Sequence, residues 1–474
     1  MRAYLLLLSL ALLAGCGGSR EAAPPDPGIG AAGPVEQPDW MGKLSTTLRD
    51  RPITQAILPG SHDAGTYSIT PDSEISPDLP SDGVLSVLRD LLLKHPNLGP
   101  VNQHMALWAR AQGISIRDQL KRGIRYFDLR PAALSDAPDA SLRIVHSLYG
   151  GDVFEMVDQV RTFLEAHPTE VVILDFSHHT AMTLDHHARL IRYLKAAFGD
   201  RLVPRPVVST DKNPGAHDLT FGKLWDRKQQ VICLYHDDAA NSEPLLWRYG
   251  TDQGINWWPR KPTPAQVQER LNEILDVDRH WLSQGHFFVL QMILTGDAPV
   301  FSRAVAKLEL IQVVEAASSA LKAAEATHSK TLKAIASCKT SIKKHHKDID
   351  DLEDDNRDHW YNPVLIARNL KRIAKLYTQI GELEVKLKAL EALEKGEAKA
   401  VGELKAKLKP LSDQLEGMAQ DPTSLEELAL AGNPKLLPLL DSWKDRGLNI
   451  VIVDWMHRTD LVERVIRLNQ ALKP

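Results

Sequence analysis

The sequence has few cysteines and no surplus of positive charge, and each absence excludes a class of protein. Cys16, Cys233 and Cys338 stand far apart among 474 residues and match no zinc spacing. Cys233 lies in an apolar run typical of a buried thiol. A disulfide from it to Cys338 would have to join two structural units. The formal net charge is −4, so the basic surplus that a nucleic-acid partner usually requires is missing.

The N-terminus is typical of a targeting segment. Arg2 precedes an apolar run, Leu5–Leu13, that is too short to span a bilayer stably. The run ends in Leu-Ala-Gly-Cys16, which resembles a bacterial lipobox, and an ordinary signal peptide cut near the same place is the alternative. We expect a lipid on Cys16 to anchor the protein in the cell envelope. Gly17, and not Asp, follows the cysteine, which favours the outer membrane.

From Trp40 onward, short apolar runs alternate with helical patterns. The predicted strands are Ile53–Leu58, Arg125–Leu129, Leu142–Val145, Val171–Phe176, Val231–Tyr235, Phe287–Leu294 and Leu448–Val453. Most are rich in Val and Ile, as parallel strands buried on both faces are. The predicted helices include one after Ser115 and the segments Phe154–Ala166, Leu184–Phe198 and Pro264–Leu275. This alternation predicts an α/β fold, a (β/α) barrel. A doubly wound sheet is disfavoured because no Gly-rich loop follows the first strand.

A different pattern interrupts the barrel before its last strand. Residues 303–429 are rich in Ala, Lys and Leu, and their apolar positions follow a heptad-type seam. We expect a long antiparallel helical hairpin, coiled-coil-like, that packs on itself as a solvated spacer; the alternative is an arm that binds a protein partner or a membrane. The predicted organisation is a signal peptide (1–16), a flexible linker (17–39), the first part of the barrel (40–302), the insertion (303–429), and the last strand and helix (430–474).

Polar side chains follow four of the predicted strands. They are His62 and Asp63 after the first, Asp128 and Arg130 at the second, His146 after the third, and Asp454 after the last. Each of these residues alone could have a purely structural role, as a cap, a member of an ion pair or a structural histidine. In a barrel, however, the carboxyl ends of the strands face one mouth. We therefore expect these residues to converge, and imidazoles titrate near neutrality, which suits proton transfer.

These segments resemble the X domain of phosphatidylinositol-specific phospholipases C. The resemblance rests on Leu58–Asp63 (LPGSHD), Gln119–Arg130 (QLKRGIRYFDLR) and His146, and is greatest to proteins that contain only an X domain. Supporting segments are Trp108–Leu120, His167–His178, Trp257–Pro259, Val289–Thr295 and Asn449–Trp455. The likeness runs from about residue 53 to 295 and resumes near 448. It leaves out the insertion and the N-terminal tether.

The resemblance implies cleavage of a phosphoinositide-like membrane phospholipid to diacylglycerol and an inositol cyclic phosphate. His62 would take the proton of the attacking hydroxyl, and His146 would protonate the leaving oxygen. Asp454 would hold His62 in the correct tautomer. Arg130 would bind the phosphate oxygens, and Asp63 would support proton transfer to the leaving group.

Two further expectations follow from the same resemblance. Asp128 would orient Arg130, and His178 is a candidate substrate contact in a region where simple secreted bacterial enzymes have a lysine. Arg130 stands where calcium-dependent animal relatives have an acid, so no metal cofactor is expected. Calcium held by Asp63, Asp128 and Asp175 is the lesser alternative.

Two other functions stay open at this point. The first is a phosphodiesterase acting on another head group, such as a glycerophosphodiester. The second is a non-catalytic surface lipoprotein that binds a partner through the hairpin. The intact set of histidines, arginine and carboxylates weighs against the second function. A site that had lost its catalytic function would be expected to have lost at least one of these residues.

Overall fold

A computed structural model describes residues 35–79, 84–205, 219–248, 256–277 and 286–472. The expected signal peptide, the lipidation site Cys16 and the linker up to residue 34 lie outside these ranges. Among the helices described, none combines the length and the apolar character that a bilayer crossing needs.

The main sheet is a parallel barrel. The strands are β1 Leu58–Ser61, β2 Tyr126–Leu129, β3 Pro131–Ala133, β4 Leu142–Val145, β5 Tyr149–Asp152, β6 Val172–Phe176, β7 Val231–Tyr235, β8 Trp247–Arg248, β9 Asn256–Trp257, β10 Val289–Gln291 and β11 Ile450–Val453. Eight of them pair in the order β8-β7-β6-β2-β1-β11-β10-β9. The order follows the chain, and the first strand pairs in parallel with the last. This circular order confirms the predicted barrel and excludes the doubly wound sheet; within the described ranges, β8 and β9 are not hydrogen-bonded to each other.

Helices surround the sheet, and one pair of long helices extends beyond it. They are α1 Trp40–Lys43, α2 Ser45–Leu48, α3 Val84–Leu93, α4 Val101–Ala109, α5 Ile116–Arg122, α6 Val153–Ala166, α7 Leu184–Phe198, α8 Phe221–Asp226, α9 Pro264–Val277, α10 Ala298–Asp358, α11 Pro363–Gly417, α12 Leu425–Leu436, α13 Leu439–Trp443 and α14 Leu461–Ala471. As predicted, Ser115 caps α5, and its side chain accepts a hydrogen bond from the amide of Asp118.

Side chains alternate between two apolar layers along each barrel strand. Ile450 and Ile452 of β11 belong to an inner cluster, whereas Val451 and Val453 belong to the layer beneath the helices. The inner cluster continues into α1 and α2, where Trp40 is almost wholly buried. The interior is therefore filled from the amino-terminal ends of the strands, and the opposite ends are left for polar groups.

Three of the predicted strands differ in the structure. The predicted strand Phe287–Leu294 is shortened to β10, Val289–Gln291. The predicted strand Ile53–Leu58 forms a short 3₁₀ turn over Ile53–Gln55, and the barrel strand starts only at Leu58. The predicted barrel strand Leu142–Val145 exists as β4, but it belongs to a separate antiparallel sheet with β3 and β5. His146 therefore does not end a barrel strand, contrary to the prediction.

The helical hairpin consists of α10 and α11, joined by a turn at residues 359–362. Its distal apolar contacts include Ile349 and Ile373, and ion pairs such as Lys339 to Glu391, at 3.0 Å, connect the two helices. The first turns of α10 instead pack in the barrel's main core through Phe301 and Val305. The hairpin is thus rooted in the barrel and self-packed beyond it.

Candidate active site

The site lies at the carboxyl ends of the barrel strands, because the inward side-chain positions there are polar. On β2 the inward position Tyr126 is followed two residues later by Asp128 and then by Arg130. On β11 the inward Ile452 is followed by Asp454. Since alternate residues share a face of a strand, the sequence directs these groups into the barrel mouth.

His62 and Asp454 form a buried pair. The His62 Nδ1–H donates to Asp454 Oδ1 at 2.7 Å, and both residues are at most 6% exposed. Burial lowers the pKa of His62, but the negative charges of Asp63 and Asp454 and the Asp454 hydrogen bond outweigh it and raise the pKa to about 9. The carboxylate thus fixes the ring so that its Nε2 faces the cavity.

Arg130 lies between Asp63 and His62. Its Nε is 2.6 Å from Asp63 Oδ1, and its Nη2 is 3.2 Å from His62 Nε2. The guanidinium can donate to Nε2 only when that nitrogen carries no proton. When protonated, Nε2 instead faces Asp63 Oδ2 at 3.3 Å. Each protonation state of His62 therefore has a partner already in place.

Asp63 and Asp128 are the buried anions of the site. Burial raises the pKa of Asp63, but Arg130, His62 and other nearby imidazoles outweigh it and lower the pKa well below its usual range. Asp128 Oδ2 accepts a hydrogen bond from the Asp63 amide at 3.2 Å and lies 3.6 Å from Arg130 Nη2. The predicted contact between Asp128 and the guanidinium is therefore present.

His146 reaches the site from the antiparallel sheet. Its Nδ1–H donates to the carbonyl oxygen of Ala109 at 2.7 Å, and its Nε2 is 3.6 Å from Asp63 Oδ2. His62 Nε2 contacts the same oxygen. The two imidazoles therefore flank one point of the cavity, although they come from different sheets.

The backbone is left-handed immediately after three of these residues. Asp63, Ser147 and Trp455, which follow His62, His146 and Asp454, have φ values of 43°, 62° and 49°. His178 also has a positive φ, of 50°. Non-glycine residues adopt such conformations at a cost of about 1–3 kcal/mol each, and they do so mostly at functional sites. The surrounding contacts must therefore hold these turns in place.

The segment that follows α4 provides those contacts. The amides of Ala111 and Gln112 donate to Thr66 Oγ1. The side-chain amide of Gln112 donates to the carbonyls of His62 and Val453 and accepts from the amide of Met456. Ala109 holds His146 as described above. One short segment therefore supports the loops that carry His62, His146 and Asp454. Sequence reasoning missed Gln112.

A cavity of about 1190 Å³ extends from Asp128 and Arg130 toward Trp257 and Trp258. The imidazole of His178, the predicted substrate contact, lines it and is exposed. Sequence reasoning also missed His236, whose Nε2 is 2.6 Å from Asp175 Oδ1. The signal was present, because Ile232 and Leu234 are successive inward positions of β7, and His236, one residue beyond the strand, continues the same alternation.

Among the described residues, one cluster has the donor groups of a metal site. Ligand atoms of His62, Asp63 and Asp128 lie within 4.8 Å of one another. The Arg130 guanidinium, however, already contacts both carboxylates. A calcium ion, which takes six to eight oxygen ligands, does not fit beside this fixed cation. Asp175, the third acid considered, pairs instead with His236 and Tyr126.

Comparison with known proteins gives one consistent family. The family described as phosphatidylinositol-specific phospholipase C, X domain, matches residues 102–240. The PI-PLC X domain-containing protein 2 of Mus musculus is 31% identical over 286 residues, covering 59% of this chain and 76% of that protein. The PI-PLC X domain-containing protein 3 of Danio rerio is 32% identical over 269 residues, covering 56% and 77%.

Solved bacterial enzymes are more distant. A phosphatidylinositol-specific phospholipase C of S. aureus has 16% identity and a TM-score of 0.37, covering 56% of this chain and 80% of that one. The Listeria monocytogenes enzyme has 16% identity and a TM-score of 0.36, with coverages of 59% and 90%. The fold assignment therefore rests on the strand order above and the family assignment on the curated relatives.

The strand order, the geometry of the site and the identity to these relatives agree. The barrel mouth holds two imidazoles, a guanidinium and carboxylates around one point, which is an arrangement of the phosphodiesterase type. The chain belongs to the phosphatidylinositol-specific phospholipase C X-domain family.

Proposed function

We propose that the protein cleaves an inositol phospholipid at its phosphodiester, releasing diacylglycerol and an inositol cyclic phosphate. The observation that carries this proposal is that His62 Nε2 and His146 Nε2 both contact Asp63 Oδ2. A general base and a general acid are thereby directed at a single reacting centre. Catalysis by internal displacement at phosphorus needs such a pair, because one oxygen loses a proton while another gains one.

In the proposed reaction, His62 Nε2 takes the proton of the head-group hydroxyl next to the phosphate. That oxygen forms a bond to phosphorus as the bond to the diacylglycerol oxygen breaks. His146 donates its Nε2 proton to the leaving oxygen. Its Nδ1–H is already committed to the Ala109 carbonyl, so the acid form is the imidazolium, and the adjacent Asp63 carboxylate stabilises that form.

We propose that Arg130 supplies the positive charge that offsets the developing charge on the phosphate oxygens. Asp63 and Asp128 hold the guanidinium in place. A bidentate guanidinium suits phosphate oxygens. No metal step is required in this scheme.

Replacement of the two histidines tests the proposal. We expect His62→Ala and His146→Ala each to lower kcat on phosphatidylinositol vesicles by about 10²–10⁴-fold. His328→Ala, which changes a histidine on the hairpin, is the matched control and should leave kcat unchanged. Hydrolysis of a glycerophosphodiester that lacks a hydroxyl next to the phosphate, at a rate equal to that of phosphatidylinositol, would contradict the cyclising reaction and favour the other head group.

We also propose that the protein is held in the cell envelope by a lipid on Cys16, on the outer membrane. The support is the Leu-Ala-Gly-Cys16 sequence after an apolar run. Two or more acyl chains give stable anchoring. Membrane fractions of expressing cells should contain the wild-type protein, and Cys16→Ser should move it to the soluble fraction. Retention of the variant in the membrane would refute the anchor.

A further inference from the structure

A second segment of the chain lies along the turn between β4 and β5. This segment, residues 74–78, is called the strap below. Within it, Ile75 pairs antiparallel with Leu148, and the first carbonyl oxygen of the strap accepts a hydrogen bond from the amide of Tyr149 at 2.9 Å. The strap therefore pairs with the turn that carries His146.

Asp78, at the end of the strap, binds the residue that follows His146. That residue is Ser147, whose φ is 62°. Its amide donates to both carboxylate oxygens of Asp78, at 2.9 and 3.1 Å, and its carbonyl oxygen accepts from the amide of Ser76 at 3.1 Å. The Ser76 hydroxyl in turn donates to the Asp78 carboxylate. Both backbone polar groups of Ser147 are thus held by the strap, and hydrogen bonds to a carboxylate are among the stronger ones in proteins.

The conformation of Ser147 matters for the imidazole before it. Because His146 and Ser147 share a planar peptide unit, the backbone of Ser147 sets the direction from which the imidazole enters the site. The ring lies with its Nε2 3.6 Å from Asp63 Oδ2 and its Nδ1 2.7 Å from the Ala109 carbonyl oxygen. A left-handed serine returns to a more ordinary conformation unless its surroundings hold it, and such a change would move the ring away from both contacts.

We propose that Asp78 is a positioning residue for the general acid. Its carboxylate holds the amide of Ser147, so that the Nε2–H of His146 stays directed at the leaving oxygen. This inference rests on the proposed function, in which His146 donates that proton. Loss of the Asp78 carboxylate should therefore impair protonation of the leaving group and leave proton removal by His62 intact.

The charge of Asp78 also acts on Arg130. Burial lowers the pKa of that guanidinium, but the carboxylates of Asp63, Asp128 and Asp78 raise it. The effect of the charge can be separated from the effect of the hydrogen bond, because Asp78→Asn keeps an oxygen that accepts from the Ser147 amide and removes the charge.

Two substrates separate the step that His146 performs from the rest of the reaction. Phosphatidylinositol releases an alkoxide-type oxygen that needs a proton, whereas a nitrophenyl phosphodiester of inositol releases a nitrophenolate, which leaves without one. We expect Asp78→Ala to lower kcat about 10–100-fold on phosphatidylinositol vesicles and less than about threefold on the nitrophenyl ester. His146→Ala should show the same dependence on the leaving group, with a larger loss on phosphatidylinositol.

The conservative variant and a matched control complete the experiment. Asp78→Asn should stay within about threefold of the wild type on both substrates, because the hydrogen bond to the turn is kept. Asp72→Ala, which removes an exposed carboxylate just before the strap, should leave both rates unchanged. The ratio of the two rates does not depend on the folded fraction of a preparation. Ser76→Ala, a milder change that removes the hydroxyl donor to Asp78, should shift this ratio in the same direction as Asp78→Ala.

Three results would count against the proposal. If Asp78→Ala and Ser76→Ala both left the ratio of the two rates at its wild-type value, the positioning role would be overturned. If Asp78→Asn were as slow as Asp78→Ala on phosphatidylinositol, the effect would belong to the charge acting on Arg130 and not to the turn. A wild-type protein that cleaves neither substrate would instead refute the proposed function, on which this role depends.

Discussion

At the scale of single residues, the Nε2 atom of His62 has a partner in both of its protonation states. It accepts from Arg130 when neutral and faces Asp63 when charged. Asp454 holds the other ring nitrogen. A proton can therefore arrive at this position and leave it while the ring stays fixed, which is what a general base requires.

The raised pKa of His62 predicts the pH dependence of activity. The base must be neutral in the free enzyme, and its pKa of about 9 means that the neutral fraction grows as pH rises toward that value. Because His146 must at the same time carry its proton as the general acid, we expect a bell-shaped dependence of kcat/KM on pH, with one of its two midpoints near pH 9, the pKa of His62. Asp454→Asn removes a charge and a hydrogen bond that raise this pKa. The midpoint that His62 controls should move to lower pH, while the maximum of the profile falls about 10²–10⁴-fold because the tautomer is lost.

A profile for Asp454→Asn with the same two midpoints as the wild type would show that His62 controls neither limb. Asp441→Asn serves as a control, because this carboxylate pairs with Arg464 on the surface. Its profile should match that of the wild type.

Arg130 gives a prediction about metals. Chelation with EDTA should leave the wild-type rate unchanged, because the guanidinium already supplies the positive charge between Asp63 and Asp128. Arg130→Asp removes that charge and adds a further carboxylate beside Asp63 and Asp128, so its rate should be very low without metal. Millimolar calcium should restore part of it, since calcium prefers carboxylate oxygens. Loss of wild-type activity in EDTA would contradict this assignment.

At the scale of secondary-structure elements, the sequence predicts the regular parts well. Helix α7 and strand β7 have their predicted bounds, Leu184–Phe198 and Val231–Tyr235, because each has a strong periodic or continuous apolar pattern. The last strand, β11, lies within its predicted range. The convergence of His62, Asp128, Arg130 and Asp454 also follows from the sequence, since each stands at the end of a barrel strand.

The sequence-based predictions that were wrong or incomplete have local structural causes. Strand β1 contains Pro59 and Gly60, which disfavour strands, but it pairs with β2 and β11 on either side. A Cβ at Gly60 would lie 2.6 Å from the Ile452 side chain, so tertiary packing requires the glycine. For His146, an apolar strand pattern does not reveal whether a strand joins the barrel or a sheet beside it. Gln112 carries no motif, and its role depends on contacts with residues far away in the sequence.

The role of the segment that follows α4 can be tested by changing Gln112. Gln112→Leu removes three buried hydrogen bonds to the loops of His62 and Asp454. We expect kcat to fall more than KM changes, because the catalytic turns lose support while the cavity lining stays. The free energy of unfolding should fall by about 1–3 kcal/mol. Gln379→Leu on the hairpin is the control. Equal loss of stability with an unchanged kcat would make Gln112 a structural residue only.

At the scale of the whole molecule, the hairpin is separable from the barrel beyond its base. The first turns of α10 contribute Phe301 and Val305 to the main core. At the other end, Asn433 of α12 donates to the backbone carbonyl of Asp454 at 2.9 Å. The intervening helices pack mainly on each other.

Two deletions should therefore behave differently. Replacing residues 320–406 with a short glycine-containing turn removes only the self-packed part of the hairpin, so kcat/KM and the unfolding midpoint of the barrel should match those of the full chain. Deleting residues 303–420 also removes Val305 and Leu310 from their packing, and it should destabilise the barrel. Thermal unfolding and vesicle assays measure both effects. Loss of kcat/KM in the shorter deletion would assign the distal hairpin a part in the reaction.

The proposed reaction requires that His62 and His146 act on one phosphorus atom, with a neighbouring hydroxyl as the nucleophile. Phosphorus NMR of the products formed from phosphatidylinositol can show whether it does. We expect the resonance of a five-membered cyclic phosphodiester to appear first with the wild type, and not to appear with His62→Ala or His146→Ala. Direct formation of an acyclic inositol phosphate, with no cyclic species at any time, would contradict it.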